Sequence, residues 1–267
     1  RALKLIDALH LESEESRNNI SLATSAEDIE KAKIEEKIAL MLSLEGGKPF
    51  ENDLSLLRTF YRLGVRIIQL TWNFRNLLGD SAVERSNAGL TNLGLEAVEA
   101  MNKLGIVIDV SHLSEVGFWD ILETSKDPVV ASHSNARSLA DHPRNLSDEQ
   151  IKALAEGGGV MGMNAYRDFV SVGSNPTLQH LLDHVDHTAE LVGVDHIGVG
   201  LDITEDWGED LYQSIWSYKP EYISGLTSIS NIPNLTKGLV ARGYSDQEIE
   251  KILGGNFLRL FKSIFDK

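Results

Sequence analysis

With 267 residues, 42% of them hydrophobic, the chain is long enough for one large core in the size range of a single (β/α) barrel, so one domain over 1–267 is expected. A formal charge of −15 argues against a phosphate-backbone partner, and the absence of cysteine leaves His, Asp and Glu to hold any transition metal. No stretch approaches the ~18 to 20 apolar residues of a membrane helix and no basic-then-apolar leader pattern is present, so the expectation is a cytoplasmic chain with neither a membrane nor a nucleic-acid partner.

In chain order, an amphipathic helix over 26–37 precedes apolar runs rich in Val and Ile that alternate with charged, helix-periodic segments. That alternation is the signature of βα units feeding a parallel sheet. Strands are expected over 38–44, 66–70, 106–110, 129–132, 159–163 and 197–201. Helices are expected over 53–63, 93–104, 115–125, 147–156 and 177–192. The fourth of these opens with Ser147 and carries Gln150 three residues on, a capping-box pattern. After the last strand comes a loop over 204–230 rich in Asp, Trp and Tyr, of a length more often functional than idle, and then helices over 233–242 and 245–265. Six strands fit either a barrel lacking part of its wall or an open parallel sheet, and the position of the polar residues decides between them.

Each expected strand is followed closely by a polar or metal-capable side chain: Glu45, Trp72 with Asn73, His112, His133, Asn164 and Asp202. In a barrel these positions converge on the C-terminal face, where such proteins carry their chemistry. Singly, a Glu before Gly46-Gly47 starts a turn, and a His after a strand is commonly a satisfied, partly buried residue. Together they suggest more. Ser111-His112 and Ser132-His133 end Val-rich strands one βα unit apart, and two imidazoles with Glu45 make a credible zinc site, a bridging carboxylate being the usual device of a two-metal centre. His180, His184 and His187 form a rival stripe at helical spacing. Their helix belongs to the outer ring and lacks the Glu of His-Glu-x-x-His, so they are read as a solvated or interface face. No Gly-x-Ser-x-Gly elbow occurs, which disfavours a serine hydrolase.

The stretches Leu44-Glu-Gly-Gly47, Leu63-Gly-Val-Arg66, Leu104-Gly-Ile-Val-Ile-Asp-Val-Ser-His112, Ala131-Ser-His-Ser134, His142-Pro-Arg-Asn145, Asp183-His-Val-Asp-His187, Gly198-Val-Gly-Leu-Asp202 and Gly254-Gly-Asn-Phe257 resemble, in this order, the membrane (renal) dipeptidase family. The resemblance implies a TIM-like (β/α)8 barrel with two zinc ions, a homodimer, that hydrolyses dipeptides through a metal-bridged hydroxide. It also implies that Glu45 bridges the metals, that His112 and His133 are imidazole ligands, that Arg144 binds the substrate carboxylate and that Asp202 shuttles protons. Trp72 stands where some members place a substrate-contacting His, and Asn164 joins it on the substrate side. The family opens with a strand carrying His-x-Asp that supplies the remaining ligands, and no His-x-Asp is read anywhere in this chain. The six-strand count and Arg1 in place of Met fit a barrel missing its first one or two strands, holding one zinc or none. Two alternatives remain: a silent homologue that binds peptide or a partner through the same mouth, and another metal-dependent amidohydrolase. The second of these commonly bridges its metals with a carboxylated Lys, where this chain has Glu45. Arg144 has a plainer reading as a surface residue capping the turn before Ser147.

Overall fold

A computed structural model of the chain describes residues 1–50, 53–173, 175–205, 207, 208, 210, 212 and 219–265. The chain divides into two compact units, Arg1–Val130 with Leu258–Lys267, and Ala131–Phe257. Among the described residues no helix is long and apolar enough to cross a membrane.

The first unit opens with helix α1 (Ala2–Glu15), which buries only Ile6 and therefore shows little of the apolar stripe that sequence reading relies on. Strand β1 (Ile20–Leu22) leads to α2 (Ala26–Ile34), started by a capping box in which Ser25 and Asp28 satisfy each other's backbone N–H groups. The run expected as one strand over 38–44 is two strands. β2 (Ile38–Leu40) pairs in parallel with β1, whereas β3 (Leu42–Leu44) pairs with β4 (Val65–Gln69). Only β3 alternates buried, exposed, buried, so the half-buried period of two begins where the partner changes. Helices α3 (Ser55–Arg62) and α4 (Asn92–Leu104) flank β4, and α4 is capped by Thr91 and stopped by Gly105 in the left-handed region. β5 (Val107–Asp109) is buried throughout and pairs with β4 on one side and with Val130 of β6 (Val130–Ala131) on the other. Helix α5 (Glu115–Thr124) links β5 to β6. Leu57, Ile68, Val98, Met101 and Ile108 are almost wholly withdrawn from water. Side chains of this kind stabilise the folded state by roughly 1.5–3 kcal/mol each.

In the second unit, α6 (Asp148–Glu156) starts at Ser147 with the expected Gln150 capping box. β7 (Val160–Met163), buried at all four positions, pairs in parallel with β8 (Ile197–Val199). Between them lie α7 (Arg167–Val170) and α8 (Leu178–Val192), the latter capped by Thr177. After α9 (Ile232–Arg242), the helix expected over 245–265 is interrupted: α10 (Asp246–Glu250) gives way to a π turn (Lys251–Gly255) and then to α11 (Asn256–Phe265). Gly254 and Gly255 are poor helix formers. At the start of α11, the buried Asn256 amide donates to Val194 O at 2.7 Å and Ile197 O at 2.8 Å. Those two bonds anchor the helix against the entry to β8. Of the loop expected over 204–230, residues 206, 209, 211 and 213–218 lie outside the described residues. Tyr222 holds a described part in place, donating to Asp202 O at 3.0 Å and accepting from Thr204 N–H at 2.9 Å.

Candidate functional site

The first unit carries Glu45, Trp72 and His112, each within three residues of the C-terminal end of a strand: β3, β4 and β5. Glu45 begins the Gly46-Gly47 turn. Gly46 has φ 105°, a backbone state that a Cβ disfavours, and the turn leaves the Glu45 side chain half exposed. His112 is buried and has φ 69°, so its backbone is strained. Two hydrogen bonds to His112 O hold it there, from Ala82 N–H at 2.7 Å and Thr71 Oγ1 at 3.3 Å. The His112 ring lies between two oxygens, with Nε2 3.0 Å from Glu45 Oε1 and Nδ1 2.9 Å from Asn73 Oδ1. Trp72 packs near this ring, at a centroid distance of 6.2 Å, and meets Phe74 edge-on at 5.8 Å. Beyond Trp72 the loop is clamped by Asp80, which receives Arg75 Nε at 2.8 Å, Ala88 N–H at 2.8 Å and the Ser86 hydroxyl. Burial pushes the Asp80 carboxyl up, but these donors outweigh it and hold the group below the usual carboxylate range.

The second unit carries His133, Arg144, Asn164 and Asp202. His133 follows β6 and is buried, with Nδ1 2.7 Å from Ser132 Oγ. Arg144 is buried rather than a surface turn cap. Its Nη2 donates to His133 O at 3.4 Å and its guanidinium lies 5.4 Å from the centre of the Phe169 ring. Asn164, directly after β7, is fully buried and donates through Nδ2 to Asp202 Oδ2 at 3.4 Å. Asp202 is exposed and also has a positive φ of 58°. Asn135 holds the Asn164 backbone in place: it accepts from Asn164 N–H at 3.0 Å and donates to Asn164 O at 3.0 Å. Asn135 carries no sequence signal, because its bonds reach Asn164, 29 residues away.

Of the helical histidine stripe, read as a solvated or interface face, His180 is exposed and His187 half-buried, and only His184 is withdrawn from water. His184 is buried, accepts from Ala136 N–H at 3.2 Å and donates to Val170 O at 2.9 Å, while His187 Nε2 lies 2.9 Å from Asp148 Oδ1. The reading that no His-x-Asp occurs is corrected by His184-Val-Asp186, which lies within helix α8 and not on a strand ahead of Glu45. Asp186 is paired with Arg242 and Tyr244.

Carboxylate and imidazole groups just past the C-terminal ends of parallel strands are the donor types that metal-dependent hydrolases of the α/β class use. The family model for membrane dipeptidase (peptidase family M19) matches residues 1–266. Dipeptidase verJ of Clonostachys rogersoniana is 33% identical over 264 residues, covering 98% of this chain and 64% of that protein's length. Among solved structures, an amidohydrolase from Pseudomonas aeruginosa superposes with a TM-score of 0.93 at 29% identity, covering 99% of this chain and 85% of that one. A metallo peptidase from Rhodobacter sphaeroides, solved with a phosphinate mimic of the dipeptide L-Ala-D-Ala, gives 0.86 at 25% identity, covering 98% and 74%. The chain belongs to the membrane dipeptidase family of metallopeptidases. Its α/β fold of parallel strands is the TIM-like barrel class expected from the sequence.

Proposed function

We propose that this chain is a zinc-dependent dipeptidase in which Glu45, His112 and His133 hold the metal. The observation that carries the reading is the His112 ring. Its Nδ1 is taken by Asn73, and its Nε2 lies 3.0 Å from Glu45 Oε1, so a carboxylate oxygen and an imidazole nitrogen face one another as paired donors. His133, whose Nδ1 lies 2.7 Å from Ser132 Oγ, is the second imidazole that membership of the family assigns to the ion, giving a donor set of two imidazoles and one carboxylate. With no cysteine in the chain, such a set suits zinc, and three protein ligands leave a fourth position open, as catalytic zinc sites require. Bound zinc would supply Lewis-acid polarisation of the peptide carbonyl and an activated water.

The remaining residues divide the work of binding and proton transfer. Arg144 offers a planar fork suited to a terminal carboxylate, and its burial strengthens that recognition by excluding competing water. Asp202 would carry the proton to the leaving amine, a role supported by its exposed carboxylate and by the hydrogen bond that Asn164 donates to its Oδ2. Trp72, packed near the His112 ring, would offer an apolar surface to the substrate side chain presented there.

The test is dipeptide hydrolysis by protein stripped with a chelator and then titrated with zinc. Activity is expected to vanish on stripping and return with zinc. Glu45→Gln is expected to lower it by more than the ~10–100-fold typical of changes outside the ligand set. Undiminished hydrolysis by metal-free protein, or zinc-loaded protein inert toward a dipeptide panel, would refute the reading.

A further inference from the structure

We infer that Asn73 is a positioning residue for the metal ligand His112, selecting Nε2 as the nitrogen that meets the ion. The inference rests on the metal-binding reading above. A neutral imidazole has one protonated nitrogen and one free lone pair, and which is which is set by the partner of the nitrogen that does not bind metal. Asn73 Oδ1 can only accept, so at 2.9 Å it takes the Nδ1 proton and leaves the Nε2 lone pair directed toward Glu45.

Asn73 is held well enough to do this. On one side of it, Thr71 Oγ1 donates to the backbone oxygen of His112 itself. On the other, Asn76 Nδ2 donates to Leu70 O at 2.7 Å and Asn76 Oδ1 accepts from Leu78 N–H at 2.8 Å. The segment bearing Asn73 is thus pinned at both ends, and one end is pinned to the residue it orients. The strained φ of His112 points the same way, because a backbone held at 69° restricts where the ring can go. His133 Nδ1 also has an uncharged neighbour, Ser132 Oγ at 2.7 Å, although a hydroxyl both donates and accepts and so does not by itself select the tautomer. Both partners are uncharged. They fix the ring without the added basicity that a carboxylate partner gives a zinc-bound imidazole.

The experiment measures the zinc dissociation constant, by competition with a chromophoric chelator, for wild type, Asn73→Ala and Asn73→Asp, with thermal melts confirming that each is folded. Asn73→Ala is expected to bind zinc ~10–100-fold more weakly, the usual cost of losing such a partner. Asn73→Asp keeps an acceptor at the same place and is expected to bind at least as tightly as wild type. In zinc-loaded wild type, a slowly exchanging Nδ1 proton on His112 is expected in nitrogen-edited spectra, absent from the Ala variant and present in the Asp variant. Wild-type affinity in Asn73→Ala, or equal weakening in both variants, would overturn the role of Asn73 while leaving the metal site standing. Wild type that binds no zinc would overturn the metal reading and this inference with it.

Discussion

Replacing Gly162 with alanine should damage the candidate site through the backbone rather than through any ligand. A methyl group at Gly162 in β7 would run into the carbonyl oxygen of Ser132, lie 3.0 Å from the carbonyl carbon and 3.2 Å from Gly200 Cα. Comfortable contacts need roughly 3.2 Å to oxygen and 3.5–4.0 Å to carbon, so the flanking backbones must separate by on the order of 1 Å, the Ser132 carbonyl oxygen most of all. None of the opposing atoms is the tip of a flexible side chain, so the strain has no easy outlet. Overpacking of this kind costs about 1–3 kcal/mol. Weakening the 2.8 Å bond from Ser134 N–H to Gly162 O adds about 0.5–1.5 kcal/mol. At roughly 2–4 °C per kcal/mol for a chain of this size, the melting temperature should fall by on the order of 5–15 °C. Gly157→Ala is the control, because its new Cβ would find only ordinary contacts, the nearest at 3.5 Å, and its φ is −75°. That change should be neutral or stabilise by about 0.4–1 kcal/mol. Ser132 immediately precedes His133 and bonds to its ring, so Gly162→Ala should also weaken zinc affinity at temperatures where the variant is fully folded. Differential scanning calorimetry of the two variants beside wild type decides it. Equal melting temperatures for Gly162→Ala and Gly157→Ala would refute the reasoning.

Asn256→Ala removes a buried amide that serves two backbone carbonyls, and should cost about 2–3 kcal/mol in urea unfolding; an unchanged midpoint would show that Val194 O and Ile197 O find other donors. His184 makes a pH prediction: burial holds its pKa below the ordinary 6.5, so the unfolded chain binds the proton more readily than the folded one. Its stabilising contribution is therefore fully present above about pH 6.5 and is lost as pH falls from there toward the lowered folded value, and His184→Asn should flatten the fall in melting temperature between about pH 6.5 and 5. His142, lowered by burial and by Arg144, contributes a residual slope of the same sign; a slope identical to wild type would refute the assignment to His184.

What the sequence discloses about the fold follows from what a period can encode. The central strands and the helices over 93–104, 115–125 and 147–156 sit where their patterns place them, because a buried Val- or Ile-rich run and a capped amphipathic segment each carry their own signal. Periodicity says that a segment is extended but not which neighbour it pairs with. The run over 38–44 therefore reads as one strand although it serves two pairings. β1 is three residues long, too short for any period, and α1 buries a single residue. The interruption at Lys251–Gly255 is set by what Asn256 must reach across the chain, with Gly254-Gly255 as its only local trace.

The candidate site divides along the same line. That Glu45, His112, His133, Asn164 and Asp202 fall just past strand ends is readable from residue type and position, since a sheet's hydrogen bonding stops there and the side chains that follow are free to carry chemistry. Their orientation is not readable. His112 and Asp202 both adopt a left-handed backbone, which His and Asp tolerate better than most residues but which nothing in the flanking sequence demands. It is imposed by bonds from distant segments, from Thr71 and Ala82 to His112 O and from Tyr222 to Asp202 O. Asn73 is as plain in the sequence as Trp72 beside it, yet its partner lies 39 residues away, and only that contact turns an ordinary loop asparagine into a determinant of which imidazole nitrogen faces Glu45. Residue type at a strand end therefore nominates the ligands, while the uncharged side chains that aim them become visible only once the loops are folded around them.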